Sequence, residues 1–235
     1  AAAERPGSEG ARVPTLNRVA RSIAALGASV WLAACASPRA PALDAGHFDG
    51  SVYENRALGF QVVLPAGWVF LASEQLERTT REVFAKHPDQ SGLAKASLAR
   101  TTMLFGLVDL THPPLPGEVP PSLIATLESL DGVTVEVTSE TYAAAARMNI
   151  ETSQAIASQF GKWHHQTIAG REFVALPSVV EANGKRAHQD YFVRVENGRA
   201  LGLLVSYPEN DATPQQVLDA FQPLAPTVRE PGANP

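Results

Sequence analysis

The chain has very little cysteine, with a single one, Cys35, among its 235 residues. No intrachain disulfide can form, so the fold must be stabilised by packing, and a zinc site built on several thiolates is excluded. Also absent are the motifs G-x-S-x-G, G-x-G-x-x-G and H-E-x-x-H and a Walker-type phosphate loop. These motifs accompany hydrolysis, nucleotide binding and zinc chemistry. The sequence therefore predicts no enzyme activity and no cofactor.

A long apolar run is lacking as well. The uncharged span 22–38 is alanine-rich and shorter than the roughly 20 apolar residues that a membrane helix needs. Arg18 and Arg21 precede it, and no acidic residue lies between them and Cys35. A positive flank, a short apolar run and small residues at its end are typical of an export signal.

The end of this run carries a more specific pattern. Leu32, Ala33, Ala34 and Cys35 resemble the lipobox of bacterial lipoprotein precursors. The resemblance implies that the signal is cut just before Cys35 and that its thiol is acylated. Acyl chains contribute about 0.8 kcal/mol per buried CH₂ group, which is enough for several chains to hold a domain on a bilayer. The alternative is a cysteine buried in a core helix.

The two residues after the cysteine indicate which of the two bacterial membranes holds the protein. By resemblance to the sorting signals of enteric bacteria, Ala36 and Ser37 favour the outer membrane, with the protein facing the periplasm, because retention in the inner membrane often requires Asp there. We therefore expect a lipid-anchored protein of the bacterial cell envelope.

Composition divides the chain into four parts. We expect an N-terminal extension and signal peptide over 1–34, with translation starting near Val13 or Leu16, a lipidated tether over 35–50, one domain over 51–228 and a tail over 229–235. Removing 1–34 takes away four Arg and two Glu, so the net charge of −5 becomes −5 − 4 + 2 = −7. An acidic domain argues against nucleic acid as a partner.

The domain alternates between strand and helix patterns. We expect the following elements from periodicity and turn residues: strands over 60–64 and 101–110, helices over 73–87 and 122–130, a strand over 133–137, and a helix over 140–160. Four strand patterns follow, separated by Ala169-Gly170, Asn183-Gly184 and Asn197-Gly198. Asn-Gly pairs predict tight hairpins, so three consecutive strands should lie side by side. Thr213-Pro214 then predicts the start of a last helix.

Two stretches resemble a known family. The stretch "YENRALGFQVVLPAGW" is similar to the opening of PsbP-like domains, and "TIAGREF" follows the long helix as it does there. The resemblance covers 51–226. This family includes the extrinsic photosystem II subunit, a small Ran-binding nuclear import factor and envelope lipoproteins of unclear role. It implies an α+β fold, mainly an antiparallel sheet with helices packed on its faces, and it supplies no partner-binding residues.

A few polar and aromatic residues could form a site. His188 and Asp190 share a strand face, and only one of His164 and His165 can join them, because neighbouring strand residues point to opposite faces. One strand should intervene, so we expect ordinary sheet positions and no metal site. We interpret Trp68 and Trp163 as core or sheet-edge packing and the Pro-rich loop 112–121 as a crossover, with recognition as its alternative.

Two hypotheses about function remain. The first is a non-catalytic envelope lipoprotein that binds or stabilises a protein partner through a sheet face, an edge or loops. The alternative is an envelope protein that binds a small ligand or a metal ion. In both cases the membrane is contacted through lipid on Cys35.

Overall fold

The computed structural model describes residues 45–86, 100–111, 119–152, 157–182, 185–208 and 213–224. The lipobox with Cys35, the first nine residues of the tether after it, the Asn183-Gly184 pair and most of the Pro-rich loop lie outside these ranges, so the predictions made for them are untested. Within the same ranges, the helices are all too short or too polar to cross a bilayer.

Twelve strands and three helices make up the regular structure of the described ranges. Their bounds are β1 His47–Phe48, β2 Val52–Asn55, β3 Phe60–Val63, β4 Trp68–Ala72, α1 Ser73–Lys86, β5 Thr101–Asp109, β6 Ser122–Ser129, α2 Ser139–Thr152, β7 Ala157–Phe160, β8 His164–Ile168, β9 Arg171–Ala182, β10 Lys185–Glu196, β11 Arg199–Tyr207, α3 Thr213–Asp219 and β12 Phe221–Pro223. The fold class is α+β, as expected.

The strands form two antiparallel sheets. The large sheet has the order β4-β5-β6-β11-β10-β9-β7, and β8 pairs with the same strand, β9, as β7 does. The small sheet has the order β1-β2-β3-β12. Strands β9, β10 and β11 are consecutive neighbours, which confirms the predicted meander.

The two long helices cover one face of the large sheet, which we call the helix face. A row of cross-strand partners defines it: Gly106, Ile124, Leu204 and Tyr191. A Cβ added at Gly106 would lie 3.2 Å from Leu76 of α1, and Leu204 and Tyr191 belong to the cluster formed with Tyr142 of α2. Helices on a sheet face were predicted, and this is confirmed.

The opposite face, which we call the core face, packs against the small sheet and α3. Aromatic rings join the two sheets: the Tyr53 and Phe105 centroids are 4.3 Å apart, and those of Phe105 and Phe221 are 6.4 Å apart. Trp68, 5% exposed, belongs to this cluster. Its predicted role in packing is therefore confirmed.

Two predicted elements between β5 and α2 are wrong. Residues 122–130 were expected to form a helix, but Ser122–Ser129 is strand β6, paired on both sides by β5 and β11. By periodicity alone, a short run with an apolar centre fits a buried strand as well as a helix, and pairing with neighbouring strands decides between them. Residues 133–137 form no strand, and Val135 is 70% exposed.

The longest predicted helix is also wrong at its C-terminal end. Helix α2 ends at Thr152, and Ala157–Phe160 is strand β7 against β9. The stripe that α2 buries is Tyr142, Ala143, Ala146 and Ile150. Apolar residues happen to keep a helical spacing as far as Phe160. The backbone N–H and C=O groups of 157–160 nevertheless find their hydrogen-bond partners in β9, with which this segment pairs as a strand.

Candidate functional site

The edge of the large sheet formed by β7 and β8 contains a β-bulge. Phe160 is opposite Ser178 and His164 is opposite Ala175, so the three residues 161–163 face only two residues of β9. The extra residue in the edge strand is the defining feature of a bulge. Strands β7 and β8 are thus one interrupted edge strand.

Pro177 explains where the bulge occurs. The Gly161 N–H donates a hydrogen bond to the Pro177 carbonyl at 2.9 Å. Pro177 has no N–H to return the bond, so a regular ladder cannot continue past it. A Cβ added at Gly161 would lie 3.0 Å from Cγ of the proline ring. A glycine therefore suits this close approach.

The bulge changes which face the following side chains occupy. Phe160 packs on the helix face, and four residues later His164 points to the core face, where regular alternation would have placed it on the helix face. His165 then lies on the helix face, with Nε2 4.0 Å from Glu140 Oε1 of α2 and Nδ1 3.4 Å from Glu172 Oε1.

Trp163 is the large aromatic residue that this bulge exposes. Its side chain is 49% exposed, and its ring meets the His165 ring edge-on, with centroids 5.6 Å apart. Its predicted position at the sheet edge is correct, and about half of the side chain is left exposed. We call Trp163, His165, Thr167, Glu140 and Glu172 together the Trp163 edge.

Helix α2 runs beside this edge. Glu140 is near His165, and the Arg147 guanidinium lies 5.3 Å from the centroid of the Phe160 ring. These two contacts are about 10 Å apart along the helix, at 1.5 Å per residue. Ala144, on the same helical stripe between them, is exposed and presents only a methyl group.

The histidine and aspartate singled out from the sequence meet on the core face. Tyr207 donates a hydrogen bond from its hydroxyl to Asp190 Oδ2 at 3.0 Å, and its ring centroid is 5.6 Å from that of His188. Burial raises the pKa of Asp190, while the Tyr207 hydrogen bond and the charges of His164 and His188 oppose this shift. His164 and not His165 is the histidine on this face.

In the described part of the chain, the side chains of this cluster are not grouped as a set of metal ligands. Strand β9 separates His164 from His188, as predicted, and no three His, Cys, Asp or Glu side chains of the described ranges are placed to hold a metal ion. Tyr207 was not predicted as a member, although its cross-strand pairing with His188 follows from the correct hairpin register.

A buried ionic network fastens α2 to the sheet. Glu128, 2% exposed, accepts hydrogen bonds from Arg100 Nη2 at 2.9 Å and from the Tyr142 hydroxyl at 2.6 Å. Burial is the largest influence on the carboxylate and raises the pKa of Glu128. The sequence did not indicate this network, because 122–130 was expected to be a helix. The network links α2 to the sheet through side chains, and we call Arg100, Glu128 and Tyr142 the clamp.

Comparisons with known proteins give a likeness of fold. No family model matches the chain, and no curated protein matches it. Among solved structures, PsbP from the cyanobacterium Synechocystis sp. PCC 6803 is 12% identical, with a TM-score of 0.44, covering 82% of this chain and 98% of that protein. LpqN of Mycobacterium tuberculosis, described as involved in cell envelope biogenesis, is 16% identical, with a TM-score of 0.37, covering 76% and 87%. The family that the sequence resembles is thus represented among the similar structures, and at these scores neither likeness says what this chain does.

Proposed function

We propose that this protein is a lipid-anchored protein of the bacterial envelope that binds a protein partner and carries out no catalysis. The observation that carries the proposal is the 49% exposure of Trp163 on a sheet edge. Tryptophan is enriched at the energetic centres of protein interfaces, because its large surface gains much from burial against a partner. The ring contacts the His165 ring edge-on, which reduces the freedom that the side chain has to lose on binding.

The proposed anchor would favour such binding. Acylation of Cys35 would leave a tether of about fifteen residues, with a typical reach of roughly 20 Å if it behaves as a flexible chain. A domain held so close to the membrane meets other membrane-held proteins at a high local concentration, so that a weak intrinsic affinity suffices. By the residues that follow Cys35, we propose the periplasmic side of the outer membrane.

The test combines complementation with crosslinking in intact cells. A deletion strain receives the native chain or a chain in which residues 1–35 are replaced by an export signal that is cleaved without lipidation, and both carry a photoreactive residue at an exposed position. We expect the native chain to restore function and to crosslink to one partner, and the untethered chain to remain folded but to restore less. Full rescue by the untethered chain without any crosslinked protein, or turnover of a substrate by the purified chain, would refute the proposal.

A further inference from the structure

We propose that the Trp163 edge binds an extended segment of the partner that carries a basic side chain, by adding this segment as a strand beside β8. The inference rests on the proposed function and adds to it the binding surface and the chemistry of the partner.

On its outer side the β8 backbone has no strand partner among the described residues, and the Thr167 carbonyl accepts a 3.4 Å hydrogen bond from the Gln166 side-chain amide. In β9, the Pro177 carbonyl faces the edge strand, so by alternation Ala175 and Phe173 face it as well. Their partners His164 and Gln166 therefore direct their N–H and C=O groups inward. His165 and Thr167, which alternate with them, direct theirs outward, and among the described residues β8 pairs with β9 alone.

Strand β8 itself carries none of the residues that usually prevent strand addition. Protected edges carry Lys, Pro or inward-pointing charges, whereas β8 is His-His-Gln-Thr-Ile, and Lys162 lies in the bulge before it. The bulge at 161–163 limits the regular edge to the five residues of β8. The surface therefore fits a short extended segment, and it disfavours the long edge-to-edge pairing that leads to aggregation.

The side chains along the edge select the charge of that segment. Trp163, His165 and Thr167 share the helix face, where Glu140 and Glu172 also lie. The Glu140 and Glu172 side chains are 45% and 71% exposed, so either can turn toward an incoming cation. An aromatic face beside two carboxylates attracts a Lys or Arg head group, and the acidic chain, with a net charge of −5, favours a basic partner.

Peptide binding by the full chain tests the chemistry. The lipidated chain is placed in nanodiscs of neutral phosphatidylcholine, so that lipid charge does not attract the probes. The probes are a fluorescent hexapeptide of alternating lysine and valine and its glutamate–valine counterpart. We expect the lysine peptide to bind at least about tenfold more tightly, and to shift the indole N–H resonance of Trp163.

Substitutions then separate the backbone contribution from the side-chain contribution. Thr167→Pro removes one outward N–H and leaves the pairing with β9 intact, so we expect it to abolish peptide binding without lowering the melting temperature. Trp163→Ala and the double change Glu140→Gln, Glu172→Gln should each weaken binding by about threefold or more. The matched control is Glu74→Gln with Glu77→Gln, which makes the same charge change on α1 and should leave binding unchanged.

Each outcome decides the inference. Equal binding of the two peptides, or unchanged binding by the Trp163→Ala and Thr167→Pro chains, overturns it, whether or not Thr167→Pro is stable. In cells, a photoreactive residue at Thr167 should capture the partner and one at Glu77 should not. Capture from Glu77 alone refutes the Trp163 edge but leaves partner binding standing, and capture from neither position refutes both.

Discussion

At the scale of single residues, backbone conformation at the hairpin turns decides how the strands pair. Asn197 and Gly198 have φ values of 51° and 69°, the positive pair that a type I′ turn requires. Ala169 and Gly170 have the same pair of positive φ values, 50° and 73°, although positive φ is unfavourable for alanine. Each pair closes a two-residue turn, Glu196 opposite Arg199 and Ile168 opposite Arg171.

Gly198→Val should destabilise the fold by about 1 kcal/mol or more, since a β-branched side chain is strained at positive φ. No atom lies within 4 Å of a Cβ added at this position, so the cost comes from the backbone and not from a clash. Chemical denaturation measures it, with Gly198→Asn as the control that tolerates positive φ. A change near zero for valine would mean that the turn conformation contributes nothing.

Asp190→Asn should change how stability depends on pH. Because the pKa of Asp190 is raised in the folded state, the folded protein holds this proton to higher pH than the unfolded chain does. Stability contributed by Asp190 is therefore lost as pH rises above about 4, the ordinary Asp value. The stability of the Asn variant relative to the native chain should rise across that range and then level off.

The control for this titration is Asp49→Asn. Hydrogen bonds from the Ser51 and Val52 backbone lower the pKa of Asp49. The native aspartate then stabilises the fold above the ordinary Asp value and loses this effect on acidification, so the difference should have the opposite sign. Equal pH profiles for Asp190→Asn and the native chain, measured by denaturation between pH 3 and 7, would contradict the prediction.

At the scale of elements, helix α2 is attached to the sheet in two ways. Its buried stripe packs on β9 and β10, and Tyr142 joins the carboxylate of Glu128 on β6. A buried carboxylate is costly unless its oxygens are hydrogen-bonded, so this second attachment depends on both Tyr142 and Arg100.

Tyr142→Phe should destabilise the protein by about 1–3 kcal/mol, because it leaves one oxygen of buried Glu128 without its donor. Tyr207→Phe is the matched control: it removes the same atom from a hydrogen bond to Asp190 that is only partly buried, and should cost less. Urea denaturation gives both values. A larger loss for Tyr207→Phe would argue against the clamp.

At the scale of the whole molecule, we propose that the lipobox sets the location of the protein and that the domain binds the partner. If Cys35 is the lipidation site, Cys35→Ser should leave the precursor uncleaved and without label from palmitate analogues in growing cells. In a second measurement, membrane fractionation, we expect to find the variant outside the lipid-anchored pool. Labelling of the serine variant equal to that of the native chain would contradict this assignment.

Local signals in the sequence predicted much of the fold correctly. The strand ending before Pro65, helix α1 from Ser73, the Asn197-Gly198 turn and the start of α3 at Thr213 all carry their determinants within a few neighbouring residues. Proline, glycine and capping residues act over that distance, so no tertiary information is needed. The alternation rule also assigned only one of His164 and His165 to the face of Asp190.

Tertiary structure decided what depends on pairing between distant strands. Residues 122–129 became a strand because β5 and β11 lie on either side, and 157–160 left the helix because β9 had an open edge. The residues next to Trp163 in the sequence likewise gave no indication that its side chain would be exposed. The exposure results from Pro177, fourteen residues further on, which lacks the N–H that a regular ladder needs and so introduces the bulge that turns the edge strand.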